Sequence, residues 1–157
     1  MTGRNAGSVF ITGGVLRKAL AAGLALKSAG VRVTIGDPSP LALSLWSLRI
    51  DQRVLYPRAD RHAEAFLDFM EKRLREHPVD LLFVAGGEDE INSIHRNRDR
   101  FAGLTRIGLS PYGLLETTED KGTLLKKAEA AGVPIPATWY PETVEEAQHR
   151  ASEYSYP

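Results

Sequence analysis

Two pairs of glycines follow short apolar runs and are the first candidates for chemistry in this sequence. Gly13-Gly14 follows the run 9–11, and Gly86-Gly87 follows the run 81–84. Glycine lets a ligand approach the backbone, and the N–H groups at the start of a following helix favour anions. A tight turn also needs glycine for its own geometry, so each pair alone is compatible with a structural role. If the two runs are neighbouring parallel strands, the turns meet beyond their carboxyl ends, and we expect a substrate or anion crevice there.

Acidic residues accompany both turns. Asp37 ends the second predicted strand, where an acid binds a ribose hydroxyl in NAD enzymes. The dinucleotide fingerprint needs a third glycine where Arg17 stands, so an NAD-linked enzyme is the less favoured alternative. Glu88, Asp89 and Glu90 follow the second turn, and the helix dipole suffices to explain them. Contact with a metal or an amine substrate is the functional alternative, and Glu88 is included in the predicted crevice.

Lys121 is the third candidate. It follows Asp120 at the start of a predicted helix over 118–131. A cation in the first turn opposes the helix dipole, so helix stability does not explain this lysine. Together with the backbone N–H groups of that turn it would reinforce an anion site. The alternative is a solvated surface lysine.

The elements that must position these residues alternate between strands and helices. Strands are predicted at 8–12, 31–35, 53–56, 80–85 and 105–109, helices at 15–29, 62–77 and 88–98, and two further helices at 118–131 and 143–153. This alternation predicts an α/β fold, a Rossmann-like doubly wound parallel sheet of about five strands with the first strand central. Because the alternation ends between 109 and 118, we predict one domain over 1–112 and a second unit over 113–157.

Composition excludes several classes of function. The 157 residues contain 20 basic and 20 acidic side chains, and no basic stripe typical of nucleic-acid binders is visible. There is no cysteine for disulfides, thiolate metal sites or nucleophilic catalysis. The four histidines lack the spacing of a helical zinc pair, so we predict no metal site and expect them to be exposed or partly buried: His62, His77, His95 and His149. No apolar run approaches the roughly 18 residues of a membrane span, and no signal peptide is visible, so we expect a cytoplasmic protein without a membrane partner.

The order of the motifs resembles the ATP-grasp superfamily. Asp120-Lys121, followed by Ala131-Gly132-Val133-Pro134-Ile135-Pro136, is similar to the start of the ATP-grasp module of carbamoyl-phosphate synthase large chains, biotin carboxylases and carboxylate–amine ligases. Upstream, Thr12-Gly13-Gly14, the segment 37–42 and Val54-Leu55-Tyr56-Pro57 stand in the order of the pre-ATP-grasp domain. The resemblance covers nearly the whole chain. Gly122 departs from the pattern, since the family usually has a larger residue there.

The resemblance implies the N-terminal portion of a ligase that makes an acyl phosphate from ATP and a small-molecule carboxylate, which an amine or thiol then attacks. It implies that Lys121 contacts ATP phosphate, with ATP and magnesium as cofactors of the complete enzyme. The remaining ATP-binding and magnesium-binding parts are not found in this sequence. We therefore expect the chain alone to bind no cofactor tightly and to be inactive without the missing ATP-grasp region, in cis or in a partner chain; a homodimer is also compatible. The alternative is a non-catalytic nucleotide- or anion-binding module.

Overall fold

The computed structural model describes residues 7–111, 113–114, 118 and 120–151, and the chain divides into two compact units, 1–110 and 111–157. Unit 1 holds the sheet. Unit 2 holds the last two helices. Among the described residues, no helix is both long and apolar enough to cross a bilayer.

Five parallel strands form the sheet of unit 1. They are β1 (Ser8–Ile11), β2 (Arg32–Asp37), β3 (Gln52–Leu55), β4 (Leu81–Phe83) and β5 (Arg106–Ile107). Their order is β3-β2-β1-β4-β5, with every neighbouring pair parallel. The prediction of a doubly wound sheet with β1 central is confirmed. Because the order reverses at β1, the chain leaves this strand beside a crevice between its neighbours.

Three helices connect the strands: α1 (Arg17–Ser28), α2 (Ala63–Glu76) and α3 (Glu88–Arg96). Short 3-10 turns occupy Leu43–Trp46 and Arg98–Phe101. The first helix begins later than predicted, because Val15 and Leu16 belong to the hydrogen-bonded loop after β1. The fifth strand is shorter than the predicted 105–109, since only Arg106 and Ile107 pair with β4.

The core lies on both faces of the sheet. Successive residues of a strand point to opposite faces. Phe10 therefore packs with Phe66 and Leu82 on one side, while Ile11 packs with Ile35 on the other. All five of these side chains are fully buried. This burial fixes β1 between the two layers and so fixes the loop that follows it.

Unit 2 contains α4 (Lys121–Ala130) and α5 (Val144–Arg150). Asp120 caps α4 by accepting a hydrogen bond from the Thr123 amide at 2.9 Å, and Thr143 caps α5 in the same way. The helix thus begins later than the predicted 118, although residue 119 lies outside the described residues. No residue of α4 is buried, and Leu124, on its apolar side, is 39% exposed. The predicted end of the last helix, at 153, also lies outside the described residues.

Candidate functional site

A cavity of about 400 Å³ opens at the carboxyl ends of the central strands. Its lining comes entirely from unit 1 and consists of Gly13, Val15, Leu16, Asp37, Pro38, Ser39, Arg58, Ala59, Asp60, Gly87, Asp89 and Glu90. We call this cavity the crevice. The loops after β1, β2, β3 and β4 all reach it, as the reversal of strand order at β1 requires.

The two glycine turns lie directly against each other, as the sequence predicted. Gly13 has φ +69°, and a Cβ atom there would lie 2.5 Å from the Gly86 Cα. A Cβ on Gly86 would overlap the Glu90 carboxyl, and one on Gly14 would lie 2.4 Å from the Ser44 Oγ. Close packing therefore requires glycine at three of the four positions. Gly87 is different, because no atom lies within 4 Å of where its Cβ would be, and its small size leaves open space at the crevice.

The backbone amides of the first turn are all committed to partners within the protein. The Gly13 amide donates to the Tyr56 hydroxyl (2.8 Å) and the Gly14 amide to the Gly36 carbonyl (2.9 Å). The Val15 amide donates to Asp37 Oδ2 (2.7 Å) and the Leu16 amide to the Gly13 carbonyl (2.9 Å). An anion needs donors that are not already engaged. These hydrogen bonds hold the first turn against its neighbours and leave none of its four amides free to bind a phosphate. The turn therefore does not form the anion site considered from the sequence.

Asp37 is likewise engaged by its own loops. Its Oδ2 accepts from the Val15 amide at 2.7 Å and its Oδ1 from the Ser39 amide at 2.8 Å. The residue is only 2% exposed. A ribose hydroxyl would have to compete with both amides, so this geometry counts against the NAD-linked alternative. Asp37 instead ties the loop after β1 to the loop after β2.

Glu90 is the functional candidate that sequence reasoning missed, having treated it only as one of three acids at a helix start. It is 8% exposed and lines the crevice. Oε1 accepts a hydrogen bond from the Tyr56 hydroxyl at 2.9 Å, while Oε2 is buried without a hydrogen bond of ordinary geometry. Burial raises the pKa of the Glu90 carboxyl, although the hydroxyl groups of Thr12 and Tyr56 partly oppose this by favouring the charged form.

The neighbouring acids have different positions. Glu88, which was predicted from the sequence to lie in the crevice, is exposed and is not among the residues that line the cavity, whereas Glu90 is. The helical geometry explains this, since Glu88 and Glu90 are two residues apart and point to different sides of α3. Asp89 is exposed and borders the crevice. Helix α3 begins after Gly87 with no side-chain cap.

The crevice is acidic. Four carboxylates border it, from Asp37, Asp60, Asp89 and Glu90, against the single guanidinium of Arg58. Arg58 binds Asp60 through two hydrogen bonds of 3.0 and 2.7 Å, which hold the pKa of the Asp60 carboxyl below its usual range. Because this pair neutralises itself, the remaining carboxylates favour a cationic or hydrogen-bond-donating ligand group.

Lys121 lies in unit 2, as the exposed first residue of α4. The preceding Asp120 caps the helix and accepts from Thr123. Gly122, the departure from the family pattern, has the Tyr140 ring beside it, because a Cβ there would lie 3.4 Å from Tyr140 Cδ1. That distance is an ordinary van der Waals contact, so packing against this ring accommodates a Cβ and does not explain the glycine.

In the part of the chain that the structure describes, no three histidines or acids are placed so that they could hold a metal ion together. His62, His77 and His149 are exposed. His95 is 3% exposed, so the expectation that all four histidines are exposed or partly buried is wrong for this one. His95 lies on the buried side of α3, next to the buried Ile94.

No known protein-family profile and no curated protein matches the chain in sequence. Solved structures do match its fold. N5-carboxyaminoimidazole ribonucleotide synthetase from Thermotoga maritima superposes with a TM-score of 0.63 at 19% identity, over 96% of this chain and 37% of that protein. Glycinamide-RNase-transformylase T from Mycobacterium tuberculosis gives 0.62 at 20% identity, over 95% and 40%. An L-amino acid ligase from Bacillus licheniformis gives 0.60 at 14% identity, over 88% and 36%.

These likenesses are at the level of the fold. The chain spans 36% to 40% of the length of those three proteins. What they show is a shared α/β fold with a parallel sheet, and the predicted fold class is confirmed.

Proposed function

We propose that this chain is the N-terminal part of an ATP-dependent carboxylate–amine or carboxylate–thiol ligase and that its crevice binds an amine-bearing substrate. The observation that carries the proposal is the fold likeness, which covers 96% of this chain but only 37% of a synthetase. The crevice supports it independently, since it lies at the switch point of the sheet where open α/β folds bind ligands.

The acidic lining favours the amine over the carboxylate substrate. A carboxylate entering the crevice would meet Asp89 and Glu90, and the first turn offers it no free amide. An ammonium group would instead meet a buried acceptor, because Glu90 Oε2 has no hydrogen bond of ordinary geometry within the protein. A buried acceptor that lacks a donor has a free-energy cost of roughly 1–3 kcal/mol, which a ligand donor would relieve.

Lys121 supports the second half of the proposal. Its ammonium stands at the start of α4, where first-turn amides and the helix dipole also favour anions, so the residue fits a phosphate contact. ATP would supply the phosphoryl group that activates a carboxylate. In this proposal the magnesium ligands belong to the remaining ATP-grasp region, in cis or on a partner chain. The chain alone would then be inactive.

Calorimetric titration tests the ATP half. Mg-ATP is titrated into this chain and into a longer protein that continues through the coding sequence after residue 157. We expect binding by the longer protein only, weakened about tenfold by Lys121→Ala. Lys127→Ala, an exposed lysine of the same helix, is the control and should leave binding unchanged. Equal binding by the longer protein and its Lys121→Ala variant would exclude Lys121 from the ATP site.

Amide chemical shifts test the crevice half. L-alaninamide presents an ammonium group, and N-acetyl-L-alanine presents a carboxylate of similar size. We expect the first to shift the Gly13 and Gly87 resonances and the second to leave them in place. Asp89→Asn should weaken the effect of the amine, whereas Glu88→Gln, the matched change of an acid that does not line the crevice, should not.

One observation favours the second candidate, a non-catalytic binding module. Every lining residue of the crevice lies between Gly13 and Glu90, so the crevice is complete within unit 1. If this chain alone binds Mg-ATP as well as the longer protein does, with shifts confined to the glycine turns, the module replaces the ligase fragment as the conclusion.

A further inference from the structure

The Tyr56 hydroxyl bridges the two sides of the crevice. Tyr56 follows β3 and is 5% exposed. Its hydroxyl accepts from the Gly13 amide at 2.8 Å and donates to Glu90 Oε1 at 2.9 Å. The direction of both bonds is fixed by chemistry, because an amide can only donate and the hydroxyl has a single proton. One side chain thereby links the turn after β1 to the carboxyl on α3.

The ring of Tyr56 is held as firmly as its hydroxyl. Its centroid lies 5.3 Å from that of Phe66 and 6.4 Å from that of Phe69, both on α2. On its other side the ring approaches the backbone at Gly36, where a Cβ would lie 2.8 Å from Tyr56 Cε1. Since aromatic neighbours and the backbone of β2 confine the ring, the hydroxyl has one position available.

We propose that Tyr56 is a positioning residue of the crevice, holding the Glu90 carboxyl and the first glycine turn in one fixed arrangement for the ligand. The part that concerns an amine ligand rests on the proposed function. The part that concerns Glu90 does not, because both hydrogen bonds belong to the protein without ligand.

A hydrogen bond from a hydroxyl stabilises the charged form of a carboxyl group and lowers its pKa. Tyr56 should therefore lower the pKa of Glu90. The groups that face Glu90 are the hydroxyls of Thr12 and Tyr56, which favour the carboxylate, and Asp37 and Asp89, which disfavour it. The self-neutralising pair Arg58–Asp60 also lines the crevice. Burial, Asp37 and Asp89 raise the pKa of Glu90, and the Tyr56 hydroxyl lowers it. Without that hydroxyl the pKa of Glu90 should rise further.

The test is a carbon NMR titration of the Glu90 side-chain carboxyl in the ligand-free protein. Tyr56→Phe keeps the ring and removes only the hydroxyl. We expect the Glu90 midpoint to move upward by about one pH unit, a tenfold change in the ionisation equilibrium. Tyr140→Phe removes a hydroxyl in unit 2 and should leave the midpoint in place. A folded Tyr56→Phe protein with an unchanged Glu90 midpoint would overturn the proposal, since a purely structural tyrosine predicts that result.

A second variant keeps the test decisive if Tyr56→Phe does not fold. Glu90→Ala leaves the tyrosine but removes its acceptor, and Glu90→Gln preserves an acceptor oxygen. We expect hydrogen exchange at the Gly13 amide to accelerate in Glu90→Ala and to stay near the wild-type rate in Glu90→Gln. Equal exchange rates in all three proteins would show that Tyr56 does not couple Glu90 to the turn.

Titration of L-alaninamide separates this inference from the proposed function. If the amine binds, Tyr56→Phe should weaken it about tenfold and shift its pH profile upward. If no amine binds, the proposed function fails while the Glu90 titration still decides the role of Tyr56.

Discussion

The backbone of Gly13 lies so close to that of Gly86 that a Cβ on Gly13 would be 2.5 Å from the Gly86 Cα and 2.7 Å from its nitrogen. Neither atom can move away without displacing the turn after β4. The φ of Gly13, +69°, adds a conformation that residues with a side chain rarely adopt.

Gly13→Ala should therefore be strongly destabilising. A left-handed conformation costs an alanine about 1–2 kcal/mol, and the overlap with backbone adds to that. Chemical denaturation would measure the loss. Gly103 has φ +74° with no atom within 4 Å of its Cβ position, so Gly103→Ala measures the conformational cost alone. Equal losses in the two variants would contradict the close approach of the turns.

Replacing the buried carboxyl of Glu90 should change how stability depends on pH. The pKa of Glu90 is raised in the folded protein, so the folded state binds more protons than the unfolded state between the two pKa values. Wild-type stability then falls as pH rises through that window, by at most about 1.4 kcal/mol per pH unit from this group. The glutamine of Glu90→Gln cannot ionise. The free energy of unfolding of this variant, relative to that of the wild type, should therefore increase from pH 4 to pH 8. A constant difference across this range would mean that Glu90 is not perturbed by burial.

Asp51 predicts the opposite pH dependence. Its carboxyl binds the Lys27 ammonium and accepts from the Val33 amide at 2.8 Å, and these contacts hold its pKa below the usual range. The stabilisation is present above the unfolded pKa and is lost as pH falls through the folded one. Asp51→Asn should lower the Tm at pH 7 and have little effect at pH 2. Glu129→Gln, on the exposed helix α4, is the control and should have no effect at either pH.

Arg100 gathers three acidic residues of α2 around one guanidinium. It binds Glu64 at 3.0 Å, Asp68 at 2.5 Å and Glu71 at 3.0 Å. Arg100→Met would leave three like charges together on α2, so we expect the Tm to fall by a few degrees and the loss to shrink in 1 M salt. Lys72→Met, which removes an exposed pair at 3.9 Å, should change the Tm little. A loss that is independent of salt would assign the effect of Arg100 to packing.

The sequence predicted the framework of the site better than its chemistry. Glycine pairs after apolar runs identify strand-to-helix turns, and parallel strand order then places those turns together. Tyr56 belongs to the segment Val54-Leu55-Tyr56-Pro57, yet nothing in that local pattern shows a hydroxyl that bridges two turns. Glu90 reads locally as one more acid at a helix start, and its burial depends on β1 and β3, which are distant in the chain. Periodicity defines an apolar side of α4 but no partner for it, and no residue of this helix is buried.

The pairing of β1 with both β2 and β4 has a consequence for the order of events during synthesis. Val9 pairs with Val33 and with Leu81, so one partner of β1 follows closely and the other emerges much later. Nascent chains can form the β1–α1–β2 unit early, whereas closing the longer loop is the slower, non-local step. Until β4 and α3 emerge from the ribosome, the Gly13 turn lacks the contact with Gly86, and the edge of β1 that pairs with β4 is open. The crevice should therefore form in a single step, late in the translation of unit 1. Before that step the nascent chain has its greatest need of a chaperone.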